Sequence, residues 1–333
     1  MANVKAMDLP ELHLADWRPT KDTLHLYCQI LGKVRLATTS PRNHWWNVPL
    51  YVDVHGLTTR RLHHAGATFE LAIDFLDDAL VVRSGDGRRQ SLSLVGGVPV
   101  ATFDAEVHRL LRDLGVDVEI LEEPFGVPMT TPFPRDTEHA AWDHDAVGRF
   151  GHILDWSDTV FEEFSGWFNG KTSPVHFFWH GFDLAVTRFS GRPSGSSSDD
   201  PVTREAYSHE VISFGFWPGD DTTISDAAYY SYTAPEPPGL REQPLAVGFW
   251  KPSGASSSLA ILPYEEVQAS NDPRRTLLAF CESAYEAGAR LAGWDVAAFT
   301  SSGCPSPNEL RDLQAAAAGQ FGRALHETGA TRS

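Results

Sequence analysis

The chain has 333 residues, 42% of them hydrophobic and 11% aromatic, enough to build a substantial core, and its formal net charge is -17. That charge argues against binding nucleic acid phosphates or an anionic membrane, since either needs a basic face, so the expected partner is a small molecule or a protein. Three cysteines without CxxC spacing, no N-terminal apolar leader and no apolar run approaching ~20 residues give the expectation of a cytoplasmic protein with reduced thiols and no membrane span.

In chain order, residues 1–22 read as a leader packed on the surface. Residues 23–120 read as a first β-rich lobe, with strand-like stretches LHLYCQILGKVRLA, HWWNVPLYVDV, TFELAIDFLDDALVVRS and SLSLV. A helix closes that lobe: Phe103, Val107, Leu110, Leu111 and Leu114 share one face, and Gly115 is a natural stop.

Residues 121–170 hold a Pro-rich connector (Pro124, Pro128, Pro132, Pro134) and linking helices. The second of these carries an apolar stripe from Phe150 to Phe168, with a break expected near Asp155–Ser157. Residues 171–295 read as a second β-rich lobe with strands HEVISFGFW, AAYYSYTA, LAVGFW and SLAILPY, ending in a helix that starts at Pro273 behind Asp272. Within it, eight consecutive Pro, Gly, Ser or Asp residues at 193–200 predict a mobile loop. Residues 296–333 read as a C-terminal helix and tail. The fold class expected is α+β, with two β-rich lobes around a central pocket.

The order of elements repeats between the halves. Aligning HLYCQILGKVRLA from His25 with HFFWHGFDLAVTRF from His176 raises an internal duplication, which requires those two histidines to occupy equivalent strands.

Polar chemistry concentrates in Lys171–Arg192, KTSPVHFFWHGFDLAVTRFSGR. Folding alone does not require two histidines, two arginines, a lysine and an aspartate inside aromatic strand sequence. His176 and His180, four apart, would make a metal pair on a helix, but the aromatic run favours strand, where one of them packs in the core. His176, His209 and His44 are the candidate ligands of one transition metal ion (Zn, Fe, Mn or Cu), or the acid and base of a metal-free site. Glu210 would complete that site or move a proton, while Arg188 and Lys171 would hold an anion. The bland alternatives are ion pairs between these arginines and Asp183, Glu205 or Glu210, and an aromatic stripe that is simply core. No GxGxxG, P-loop, HExxH or GxSxG pattern is present.

These motifs, GKTSPVHFFWHGFDLAVTRFSGR with NHWWNVPLYV, Arg204–Glu210 and GFWPG, resemble the bacterial DUF5996 family, a domain of unknown function, over residues 20–295. The resemblance implies membership and carries no reaction, cofactor or substrate. The functional expectation is an enzyme, a metal-dependent hydrolase or oxidoreductase, acting on a small anionic molecule between the lobes. A non-catalytic binding protein and a purely structural polar network are the competing readings.

Overall fold

The computed structural model describes residues 9–195, 198–220, 224–254, 257–301, 303 and 311. Its first element overturns the sequence reading. Leu14–Thr38 is a single 25-residue helix, α1, where strands were expected, and 18 of its residues are buried. Its buried residues include Lys21, His25, Gln29 and Lys33 as well as the apolar ones, so burial does not follow hydrophobicity along it, and the alternation from Thr23 to Leu26 reads as strand. The segment before it is no surface leader either. Leu9, Leu12, Leu14 and Trp17 are buried, and the Leu9 and Pro10 carbonyls accept from Gln268 and Tyr264 of a short helix near the far end of the chain.

Two six-stranded antiparallel sheets follow, giving the expected α+β class with two β-rich parts. The first comprises β1 (Tyr51–Asp53), β2 (Gly56–Thr58), β3 (Leu62–His64), β4 (Ala67–Asp74), β5 (Ala79–Ser84) and β6 (Arg89–Ser93), in the order β1-β2-β4-β5-β6 with β3 also on β4. Helix α2 (Val100–Asp113) follows, ending before Gly115 at φ +79°, a left-handed stop that glycine adopts freely. Helix α3 (His144–Gly166) runs unbroken through the expected interruption, because Ser157 is fully buried with its hydroxyl 2.9 Å from that of Tyr229.

The second sheet comprises β7 (His176–Phe178), β8 (Asp183–Pro193), then, after the short helix α4 (Pro201–Ala206), β9 (His209–Trp217), β10 (Ala228–Ala234), β11 (Phe249–Ser253) and β12 (Ser257–Pro263), in the order β11-β12-β10-β9-β8-β7. Helices α5 (Tyr264–Gln268), α6 (Pro273–Leu291) and α7 (Val296–Phe299) close the described chain. Asp272 caps α6 by accepting from the Arg275 amide. The C-terminal helix read from Pro307 onward lies outside the described residues apart from Arg311. Of the loop at 193–200, residues 196–197 also lie outside them, and its flanks are held: the Ser194 amide donates to Ser208, and Asp200 caps α4.

The alignment behind the duplication is not met, since His25 sits in α1 and His176 in β7. What joins the halves is pairing at an edge. Leu50, just before β1, exchanges both backbone hydrogen bonds with Phe177, at 2.9 Å each. One apolar cluster runs through α1, both sheets, α2, α3 and α6. Helix α1 seats its polar groups on the irregular chain around it: Gln29 makes two 2.8 Å bonds with the Phe125 backbone, and Lys33 donates to the Leu121 and Glu123 carbonyls. The Trp179 ring packs so closely on Gly32 that a Cβ there would overlap it.

Candidate functional site

Side chains alternate along a strand, so the register of the second sheet sorts its residues onto two faces. Leu184, Val186, Arg188, Ile212, Phe214, Phe216 and Tyr229 share the face packed under α3 and α6. Ala185, Thr187, Phe189, Val211, Ser213, Gly215, Tyr230 and Tyr232 share the other, together with His176, Phe178 and Asp183 through the β7–β8 pairing.

Two of the expected site residues fall on the helix-covered face. The Arg188 guanidinium is sealed between the rings of Phe164 (3.6 Å to its centroid), Tyr285 and Phe168. It donates to the Phe164 carbonyl at 2.6 Å and has the Glu282 carboxylate 3.7 Å away. Burial lowers its pKa to about 10, against the pull of Glu282. Glu210 accepts from Ser190, Arg192 and the Trp294 indole at 2.7–2.9 Å. Both are tied into the scaffold and face away from His209. Neither converges with His176, which corrects the expected grouping: one residue along β9 reverses the direction of the side chain.

The polar face gathers the remaining candidates. Segment 171–173 pairs beside β8, with the Lys171 carbonyl accepting from Phe189 at 2.9 Å and the Ser173 amide donating to Thr187 at 2.8 Å, and this delivers Lys171 to that face. Its ammonium lies over the rings of Phe189 (4.7 Å) and Trp46 (5.0 Å) and 2.6 Å from His44 Nε2. His44 stands in a 3-10 turn, Asn43–Trp45, with φ +57°, a left-handed conformation costly for a residue with a Cβ. α4 over-determines it: Glu205 accepts from the His44 amide at 3.1 Å, the Ala206 carbonyl meets His44 Nδ1 at 3.2 Å, and Trp45 Nε1 donates to Val202.

That network assigns the tautomer. Nδ1 carries the proton toward Ala206, and Nε2 accepts from Lys171. Burial, then the Lys171 charge, lowers the His44 pKa, so the ring is neutral at pH 7. Desolvation against the two rings likewise lowers the Lys171 pKa, although the residue as a whole is exposed. An ammonium has three N–H donors and His44 takes one. Among the described residues nothing accepts the other two, and no carboxylate lies within ion-pair distance.

The line continues on both sides. The His209 ring lies edge-on to His44 with centroids 5.5 Å apart. Trp46 separates His44 (5.5 Å) from His176 (6.0 Å). His176 is fully buried, its Nε2 is 3.5 Å from the Tyr51 hydroxyl, and its Nδ1 has no partner. Burial, with Arg35 and Arg60 adding to it, lowers its pKa to about 3. His180 sits exposed in the turn after β7, beside Phe178 and Trp179.

A transition metal on His176, His209 and His44 does not fit this geometry. Both nitrogens of His44 are engaged, an indole stands between His44 and His176, and among the described residues no group of three His, Cys, Asp or Glu side chains is placed to hold an ion.

Farther along the same face lies chemistry that single-residue reading did not single out. Tyr230 lies flat across β9, where a Cβ on Gly215 would overlap it, and its hydroxyl donates to Asp183 Oδ2 at 2.5 Å. Enclosure pushes the Asp183 carboxyl up to about 6, against the lowering effect of that bond. Tyr232 stacks beside Tyr230 and meets the Tyr207 hydroxyl at 3.0 Å, while Thr187 and Ser213 hydroxyls pair at 2.9 Å. The alternation in AYYSYTA puts Tyr230 and Tyr232 together opposite Tyr229, which was the available signal; that Asp183 meets them depends on strand register.

Compared with known proteins, the chain is matched over residues 9–301 by a family model described as a family of unknown function, DUF5996. No curated protein and no solved structure matches it.

Proposed function

The chain belongs to the DUF5996 family, and from its geometry we propose an enzyme that binds a small anionic organic molecule on the polar face of the second sheet. The observation that carries this reading is Lys171: an exposed ammonium packed on Trp46 and Phe189, bonded to neutral His44, with two donors unspent in a chain of net charge -17. Lys171 would hold the anionic group. His209, beside His44 on the same side, would exchange a proton with the ligand, and the rings of Trp46 and Phe189 would flank the contact.

Isothermal titration with malonate, succinate, malate and citrate tests this. At least one should bind, and Lys171→Met should weaken it by about ten-fold or more, the equivalent of one charge-assisted hydrogen bond, with the circular dichroism spectrum unchanged. Equal binding by Lys171→Met, or no binding by any of the four, would overturn the proposal. Recovery of the bound ligand unaltered after prolonged incubation would move the protein to the non-catalytic binding class.

A further inference from the structure

Two arginines are buried among the described residues, each with an Nε that has no partner, and they differ in counter-charge. Arg188 has Glu282 as counter-charge. Arg35, 6% exposed near the end of α1, has no carboxylate within ion-pair distance among the described residues; one guanidinium nitrogen donates to the Thr59 carbonyl, and its Nε is buried without a partner. Unpaired buried charge is rare because desolvation is costly.

The neighbours of Arg35 make the imbalance larger. Its guanidinium lies 5.2 Å from the Tyr51 ring centroid, and that of Arg60 lies 3.7 Å from the same centroid. Arg60 takes φ +53°, a left-handed backbone, with its amide on the Thr58 hydroxyl. Arg42 is close enough to add its repulsion to that of Arg60 on Arg35. Beside Tyr51 is His176, neutral and with its own buried Nδ1 unpartnered. Neither Arg42 nor Arg60 makes an ion pair among the described residues. Asp158 of α3, beside Glu162 and Asp155, feels the Arg60 charge, and burial, then those two carboxylates, push its pKa up to about 7.

We propose that Arg35 and Arg60, which share the Tyr51 ring, form a binding subsite for a tetrahedral oxyanion of the phosphate class. Guanidinium forks match the oxygens of such an anion two at a time, and a dianion balances two cations better than a monocarboxylate does. The ring of Tyr51 holds both guanidiniums in place before the anion arrives. The inference stands on different residues from the Lys171 site and does not depend on it.

The experiment is titration of inorganic phosphate into the full chain at constant ionic strength, with chloride and acetate as controls, read by calorimetry and by the thermal midpoint. Phosphate should bind and raise the midpoint where chloride and acetate do not. Arg60 is exposed, so Arg60→Gln leaves the core intact and should weaken phosphate about ten-fold, with Arg60→Lys intermediate and Lys171→Met without effect. Phosphate indistinguishable from chloride, or unchanged affinity in Arg60→Gln, would overturn the subsite. Loss in Lys171→Met with none in Arg60→Gln would assign the phosphate to the other site instead.

Discussion

The two faces of the second sheet are made from the same strands, one residue out of phase, and they manage polarity in opposite ways. Under α3 and α6 the charge is closed off: Arg188 is packed on three rings, bonded to a carbonyl and opposed by Glu282. On the other face Lys171 keeps unspent donors, His44 is held in a strained turn, and burial pushes the Asp183 carboxyl up to about 6 beside Tyr230. The buried charge used for support is opposed by a carboxylate, although Arg188 Nε itself has no partner, whereas the charge used for binding is positioned by the chain and left without a counter-ion.

The largest effect expected from breaking the comparison is on the closed face. Arg188→Ala should cost about 3 kcal/mol, from a large buried void, a lost bond to Phe164 and an abandoned Glu282, measured by urea denaturation. A loss below about 1 kcal/mol would show that Arg188 does not support the fold.

On the polar face, Gly215→Ala should cost about 2 kcal/mol, because the new methyl group occupies the place of the Tyr230 ring. Tyr230→Phe should cost less, about 1 kcal/mol, and should raise the Asp183 pKa further above about 6, since the bond it removes favours the carboxylate. Carbon-detected NMR titration of the Asp183 carboxyl reads that shift, and a fall instead of a rise would contradict the arrangement.

The pH dependence has a definite sign. His25 and His176 have pKa values lowered from 6.5 to about 3, chiefly by burial. Both are neutral when folded and take up protons on unfolding, so the stability they contribute is present above pH 6.5 and is lost as pH falls from there toward 3. His176→Phe should make the slope of stability between pH 6 and 4 shallower by about one proton; an unchanged slope would place its titration elsewhere. The smallest effect belongs to Glu210→Gln, under about 1 kcal/mol, since its pairing with Arg192 is at the surface.

Much of this was legible in the sequence, for reasons that also explain the misses. Most strands of the second half and the helices α2 and α6 declare themselves by period, cap and stop, whereas the strand read at LAVGFW begins only at Phe249 and runs on to Ser253. The shared face of His176 and His209 follows from alternation once the strands are placed, and so, on the same logic, does the opposite direction of Glu210. Helix α1 was not legible, because its polar stripe of Lys21, His25, Gln29 and Lys33 is buried against the chain instead of facing solvent, and Thr23 to Leu26 alternate as a strand would. That error carried into the duplication, which aligned a helix with a strand. The meeting of His44, Lys171 and His209 depends on how α4 docks on the Asn43–Trp45 turn, and that of Arg35, Arg60 and Tyr51 on contacts between elements far apart in the chain. Neither leaves a local pattern.

The central claim, that the polar face binds an anion and the helix-covered face does not, is tested most directly by a crystal structure of the protein grown with succinate and phosphate. The result expected is anion density within hydrogen-bond distance of Lys171 Nζ, with Arg188 unchanged beneath Phe164. Lys171 bonded to His44 alone at saturating anion, with density only at other surface positions, would contradict it.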